Sequence, residues 1–411
     1  MGNSVASPDQ AEESQYRLKM KEPPLTSLIL LSAFASMGAI LITPGIPSIA
    51  AFFDISIGTA QLTMTAFLLG YAIGQLIYGP IANRLGRKPA FYIGIFVATL
   101  GSLFSILASP VESFPLLIFG RTLEALGSSV GLVVCFTIIN DFYYPAQVRK
   151  VVGLMMISFA LVPGVGIAAG GFLVQHFGWQ SCFYFLLFYG IFLVLPAITL
   201  PETLLKKDTN ALHHKYVLKN YWKMICIRKL VGYSIIGGLS GGCLYIFCAE
   251  GPYIGIHLLG FSPSTYGLLG LFPYIGTLLG AGIMVKTSKI LPQKVINTGI
   301  FLEVIGTLIM LIFFLLNYIN LWSLLTPIGL LFVGHAILYG NAASFAISQT
   351  EDKANASAMV NFLAIGTGVI STLVFGLLHS SKPWVMPSMF VVSLTLMGVI
   401  YLLLIKEKNL Q

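Results

Sequence analysis

Charge is what this 411-residue chain has least of: 9% of its residues are Asp, Glu, Lys or Arg, against 56% that are hydrophobic. That shortage excludes a soluble domain of ordinary make-up, and a mean hydropathy of +0.88 assigns the chain to a bilayer. Cysteine is scarce too. Cys135, Cys182, Cys243 and Cys248 fall in apolar stretches and Cys226 in a polar one, which excludes an extracytoplasmic disulfide framework. Catalytic motifs are missing: the sequence has no Walker-type phosphate loop, no His-Glu-x-x-His pair and no plausible Ser-His-Asp set. An ATP-driven pump therefore lacks its machinery, and neither a cofactor nor a metal is expected. The net charge of +8 would suggest nucleic acid if it covered one surface, but its distribution excludes that reading.

What is present is apolar sequence in span-length pieces. Runs 1 to 6 lie at about 26–52, 58–79, 89–109, 115–139, 151–174 and 179–200. Runs 7 to 12 lie at about 230–256, 264–285, 294–317, 321–347, 355–378 and 384–405. Of the 23 Lys and Arg residues, all but Arg121 and Lys382 fall in the tails or in even-numbered loops, so both termini are expected in the cytoplasm. The predicted organisation is a cytoplasmic tail (1–24), a six-helix half (25–201), a cytoplasmic central loop (202–229), a second six-helix half (230–405) and a cytoplasmic tail (406–411). The first tail, with Asp9, Glu12, Glu13, Arg17, Lys19 and Lys21, has no apolar core for a signal peptide. A myristoylation pattern starting at Gly2 is broken by Ala6. Gly79 heads the loop after run 2, and Gly282, with Lys286 and Lys289, heads the loop after run 8. Their separation of about half the chain is what duplication of a six-helix unit gives.

The turn between runs 2 and 3 reads Gly79-Pro80-Ile81-Ala82-Asn83-Arg84-Leu85-Gly86-Arg87-Lys88. Gly79, Pro80 and Gly86 are expected to stop one helix and start the next. The turn resembles the signature between the second and third helices of the major facilitator superfamily, with Asn83 where that family has an acid. The resemblance implies an all-α membrane protein of twelve transmembrane helices in two pseudo-symmetric six-helix halves. It also implies a conformational gate at Gly79, Asn83, Arg84, Gly86, Arg87 and Lys88. In that family the acid bonds across the interface between halves and to a neighbouring arginine. Asn83 lacks the charge term, worth about 0.3–1 kcal/mol at a helix N-terminus, so a shift toward the inward-open state is expected.

Run 5 carries Pro163, Gly164, Gly166, Gly170 and Gly171, a small-residue face suited to close helix packing. The stretch resembles the helix-5 signature of drug-proton antiporters at Gly166, Gly170 and Gly171, with Ile167 at its second proline position and Pro163 able to bend the helix one turn earlier. Three further stretches resemble the bicyclomycin-resistance-like (Bcr/CflA) antiporter branch: Gln61 to Pro80, Gly120-Arg121-Thr122-Leu123-Glu124-Ala125-Leu126-Gly127, and Leu200-Pro201-Glu202-Thr203-Leu204. The likeness is strongest over runs 1 to 6 and generic after Leu230.

A charge at mid-membrane costs roughly 2.5–3.5 kcal/mol even on the lenient insertion scale, so each needs a partner or a task. Run 4 holds Arg121 and Glu124 one turn apart on one face. The resemblance implies that this arginine lines the cavity and takes part in proton coupling, and Glu124 stands where Gln is common. A pair that only steadies the helix is the alternative. Run 7 holds Glu250 before Gly251-Pro252, where the helix is expected to break; a glutamate snorkelling to water is the alternative. Run 1 has a matching break at Thr43-Pro44-Gly45. The resembled family commonly has Asp at the position of Thr43, whose task Glu250 could carry. Glu303 in run 9 is expected to be a hydrogen-bonded structural group, since the resemblance makes that helix peripheral. His335 and Asn341 in run 10 are expected at the cavity, with His335 able to titrate near neutral pH. A packing histidine is the alternative.

These readings predict a secondary transporter in the bacterial inner (plasma) membrane, working with protons, a small-molecule substrate and the lipid bilayer, and with neither ATP nor nucleic acid. Proton coupling is expected at Glu124, Glu250 and Arg121, and a substrate cavity at Thr43, Arg121, Glu124, Glu250, His335 and Asn341. The leading expectation is proton-coupled export of a small amphipathic molecule, either drug-like or a secreted metabolite such as a siderophore. Symport of a metabolite or metal chelate, and a non-transporting receptor of the same fold, are the alternatives.

Overall fold

A chain this apolar can keep its backbone N–H and C=O groups bonded within a bilayer only by coiling each span into a helix. The computed structural model describes residues 20–286, 292–378 and 382–405, where the regular structure is helical throughout. The first six spans are α1 (Leu25–Phe52), α2 (Ile57–Leu85), α3 (Arg87–Leu107), α4 (Phe114–Phe142), α5 (Pro145–Phe177) and α6 (Gln180–Thr199). The second six are α7 (Arg228–Leu258), α8 (Pro263–Leu269 continuing as Leu271–Lys286), α9 (Pro292–Leu315), α10 (Leu321–Ser348), α11 (Lys353–Leu378) and α12 (Val385–Ile405). Among the described residues, 11 of the spans are long and apolar enough to cross a membrane, and α5 adds the apolar stretch Leu161–Phe177.

Among the described residues, five hairpins on the face opposite Arg84, Arg87 and Lys88 share one device. Each of five turns reverses through a left-handed residue: Asp54 (φ 51°), Glu112 (49°), Gly178 (80°), Gly260 (73°) and Asn317 (55°). Gly, Asn and Asp enter that region at the least steric cost. Ser56, Ser113, Ser262 and Asn320 then cap the following helices, their side-chain oxygens accepting backbone N–H groups at 3.1, 3.4, 3.2 and 2.9 Å.

Several sequence expectations are revised. Gly79 and Pro80 do not end α2, which runs on to Leu85; the break is Gly86 alone, whose φ of 120° suits only glycine. Gly282 likewise lies inside α8. Gly251-Pro252 does not break α7. The helix continues to Pro252 and then widens into a π-helical turn, Tyr253–Leu258, a common way to absorb a local irregularity. Thr43-Pro44-Gly45 does interrupt α1, as a short 3-10 turn. The central loop contains a helix of its own, His214–Ile225, whose Tyr221 and Met224 are buried. Its polar spacing hid an amphipathic pattern: the Tyr221 hydroxyl donates to the Leu76 carbonyl at 2.9 Å, pinning the loop beneath α2. Residues 1–19, Lys289 and residues 406–411 lie outside the described residues.

The two six-helix halves meet most closely on the face away from the basic turn. There an apolar cluster joins Ile40, Met64, Leu68 and Ile167 of the first half to Ile246, Phe247, Ile254 and Phe332 of the second. Glycine permits the approach. A Cβ on Gly171 would lie 2.3 Å from the Pro263 carbonyl oxygen in α8, and one on Gly170 would lie 1.9 Å from the Leu41 carbonyl oxygen in α1. Gly166 is looser, 3.2 Å from Met37 Sδ by the same measure. Pro163 sits inside an unbroken α5.

Candidate functional site

The polar groups within the spans fall into four sets. The first is sealed inside the first half. Arg121 Nη1 donates to both carboxylate oxygens of Glu124 at 3.2 Å, Nη2 to the Gly38 carbonyl at 2.9 Å and Nε to the Thr63 carbonyl at 3.5 Å. The guanidinium also lies over the Phe67 ring at 4.4 Å and that of Phe183 at 5.8 Å. Both charged residues are 0% exposed. Lacking a Cβ at Gly38 is what lets the pair fit, since one built there would lie 2.8 Å from Glu124 Oε1. The pair thus binds α4 to α1, α2 and α6. Thr43 is equally buried, and its hydroxyl donates back to the Ile40 carbonyl at 2.9 Å.

The second set bridges the halves. Gln61, at the start of α2, donates from Nε2 to Glu250 Oε2 in α7 at 2.6 Å, and Glu250 is 2% exposed. It does not snorkel: its side chain is buried and turned to Gln61 of α2. Nearby, Thr65 donates to Thr372 of α11 at 3.1 Å, and Ser264 N donates to Gln175 Oε1 at 3.0 Å.

The third set is a group of half-buried side chains where the halves face each other. Tyr71 of α2 lies within electrostatic reach of Tyr245 of α7 and Tyr339 of α10. His335 is beside them, 5.3 Å from the Tyr339 ring centre, and its Nδ1 is 2.8 Å from the Ser240 hydroxyl. Beside them Asn361 of α11 donates to Gln75 of α2, one turn from Tyr71 and fully buried, at 3.4 Å. Asn341 turns inward to its own helix, donating to the Ile337 carbonyl at 2.7 Å. Rings that carry a hydroxyl, one imidazole and amides can hold a molecule with both a flat apolar face and hydrogen-bonding groups.

The fourth set clamps the basic end of the first half. Glu202 accepts from the backbone N–H of Arg87 at 2.9 Å and of Lys88 at 3.0 Å, capping α3 with a charge at its positive end. Arg87 Nε donates to Asp141 Oδ2 at 2.9 Å, and the Thr203 hydroxyl donates to the same oxygen at 2.6 Å. Asn83 Oδ1 accepts from Arg87 Nη1 at 3.0 Å, and the Asn83 carbonyl accepts from Asp208 N at 3.1 Å. The Asn83 side chain therefore bonds within its own half, where the resemblance had implied a bond across the interface as well. Lys88 reaches the Ile198 carbonyl at 2.9 Å, and Arg84 is half-buried.

Sequence reasoning found the charged members and missed their polar partners. Gln61 and Glu202 lay inside stretches already noted, yet neither carried a visible task, because a partner nearly two hundred or over a hundred residues away leaves no local spacing. Ser240 was hidden in the small-residue run Gly237 to Gly242.

Two six-helix halves around an interface lined with tyrosine, histidine and amide groups define a membrane transport protein. The chain belongs to the Major Facilitator Superfamily, which it matches over residues 28–371. It is 29% identical over 369 residues to multidrug resistance protein D of Escherichia coli, covering 85% of this chain and 87% of that one. It is 22% identical over 349 residues to a bicyclomycin resistance protein homolog of Haemophilus influenzae, covering 84% and 87%. Both relatives accord with the Bcr/CflA-like branch. Its fold superposes on the xylose transporter XylE from E. coli, in a partially occluded inward-open conformation, with a TM-score of 0.71 at 15% identity over 94% of this chain and 98% of that one.

Proposed function

We propose that the chain exports small amphipathic organic molecules across the bacterial inner membrane, exchanging them for protons by alternating access, with both termini and the basic turn in the cytoplasm. The observation that carries this reading is the Gln61–Glu250 bond, a buried carboxylate that joins the halves on the side away from the basic turn. A hydrogen bond to an ionised acceptor is roughly twice as strong as a neutral one, so a proton arriving at Glu250 loosens the joint between the halves. That links proton entry to opening on the far side, and rocking of the halves does the rest. In this reading Glu124 is the second proton-coupling carboxylate. Arg121 holds it in place, and the Tyr71, Tyr245, Tyr339 and His335 group receives the substrate. The relatives' names, resistance to multiple drugs and to bicyclomycin, support export.

A second reading, symport of a metabolite or metal chelate, draws support from Asn83 and Ile167, which depart from the antiporter pattern. The test uses protein in proteoliposomes with bicyclomycin as first probe. Glu124→Gln and Glu250→Gln should abolish gradient-driven accumulation while leaving exchange partly intact. Both variants accumulating like the parent would refute the assignment.

A further inference from the structure

One set of groups in the second half has no task in the coupling just described. Ser240 of α7 lies between Glu303 of α9 and His335 of α10: its hydroxyl donates to Glu303 Oε1 and sits 2.8 Å from His335 Nδ1. Glu303 is 0% exposed, and among the described residues its Oε2 has no hydrogen-bond partner. Thr307, one turn along α9, is buried with its hydroxyl likewise unpartnered among the described residues. Cys243 of α7 is within electrostatic reach of the carboxyl. From α10, Gly334 brings the backbone close: a Cβ there would lie 2.8 Å from Glu303 Cγ. No Lys or Arg pairs with the carboxyl among the described residues. The other end of the row is different. His335 is half-buried, and its ring neighbours Tyr339 and, across Gly241, Tyr245, in the group between the halves.

We propose that His335, Ser240 and Glu303 form a proton relay in the second half, with His335 as its mouth at the substrate chamber and Glu303 as its store. The row has two self-consistent hydrogen-bond arrangements. In the first, His335 Nδ1–H donates to Ser240 Oγ, Ser240 O–H donates to the Glu303 carboxylate, and His335 Nε2 carries a lone pair. When a proton binds Nε2, the Nδ1 proton passes to Ser240 as the Ser240 proton passes to Glu303. The second arrangement then has a neutral carboxylic acid donating to Ser240, Ser240 donating to Nδ1, and the proton retained on Nε2. One proton has entered from the chamber, one carboxylate has been neutralised, and histidine is neutral before and after. A hydroxyl is needed at position 240 because it can donate on one side while accepting on the other. The use of the relay rests on the transport reading, since a proton stored there adds to those carried by Glu124 and Glu250. The relay itself can be tested without any substrate.

The test is infrared difference spectroscopy of the full-length protein in lipid, following deuterium exchange of the carboxylic-acid band that Glu303→Gln removes, at the pH where that band is half-developed. Ser240→Ala and His335→Gln should each slow the exchange by about tenfold or more, as expected when a cooperative hydrogen-bond chain is cut, while Ser240→Thr should keep the parent rate. Reading the row from both ends leaves one variant to decide if the other misfolds. Parent-rate exchange in Ser240→Ala or His335→Gln, or no band lost in Glu303→Gln, overturns the relay. Because no substrate is added, that result would leave the transport reading standing, and failed flux would leave this readout intact.

Discussion

Replacing Arg121 by Met should strand Glu124 as an uncompensated buried charge, and the cost can be worked from the contacts. The guanidinium supplies both hydrogen bonds to the carboxylate and also ties α4 to the Gly38 carbonyl of α1 at 2.9 Å. With both residues at 0% exposure, no water can take its place at Glu124. Removing one partner of such a pair costs about 3–5 kcal/mol. The double variant Arg121→Met/Glu124→Gln has no charge to strand, so it should be more stable than the single one, with a coupling of about 0.5–3 kcal/mol. Arg121→Lys is intermediate: one ammonium cannot hold the carboxylate through a planar fork and reach Gly38 as well, and each lost bond to a charged group is worth about 1.5–3 kcal/mol. Denaturant unfolding in mixed micelles reads these differences. Trp179, 3% exposed and 6.0 Å from the Phe183 ring that lies under the guanidinium, is a suitable fluorescent reporter. A Met variant no less stable than the double variant, or a Lys variant equal to the parent, would refute the account of this pair.

Three further outcomes are expected. Gly86→Ala should destabilise the basic end by about 1–3 kcal/mol in the same unfolding assay, because the residue is held at φ 120° and a Cβ would lie 2.6 Å from Glu202 Oε2. Gly171→Ala should pry the halves apart on the far face, since the 2.3 Å clash is with backbone; Ser264→Cys should then react faster with an impermeant thiol reagent, and an unchanged rate would count against the packing described. Asn83→Asp adds a charge beside the buried Arg87, worth about 0.2–1 kcal/mol because the side chain at position 83 is itself exposed. In a background free of native cysteines it should slow labelling of a cytoplasmic-side cavity cysteine in inside-out vesicles, whereas equal or faster labelling would remove Asn83 from the conformational balance.

The fold was largely legible in the sequence because span length, apolar content and the placement of Lys and Arg are local properties that a bilayer reads directly. The ends of helices were less so. Pro80 and Pro252 look like stops, yet the helix runs on through both, and of the breakers in the basic turn it is Gly86, with its positive φ, that ends a span. The Arg121–Glu124 pair was visible because its members are one turn apart. The bond between Gln61 and Glu250 was invisible, as were the Ser240 contacts, since they join helices from distant parts of the chain through residues too ordinary to stand out. Glu303 was read as structural from its peripheral helix, and its partner Ser240 could only be seen in three dimensions.

The measurement that tests the central claim most directly is simultaneous recording of solute and proton flux in proteoliposomes that carry the protein with its basic face outward. Bicyclomycin heads a panel of amphipathic antibiotics as probes. With an acid interior, at least one probe should accumulate inside against its own gradient while protons leave, and Glu250→Gln should keep exchange but lose accumulation. Protons entering together with the probe would reverse the direction of coupling, and binding of the panel without movement of any member under any gradient would contradict transport itself.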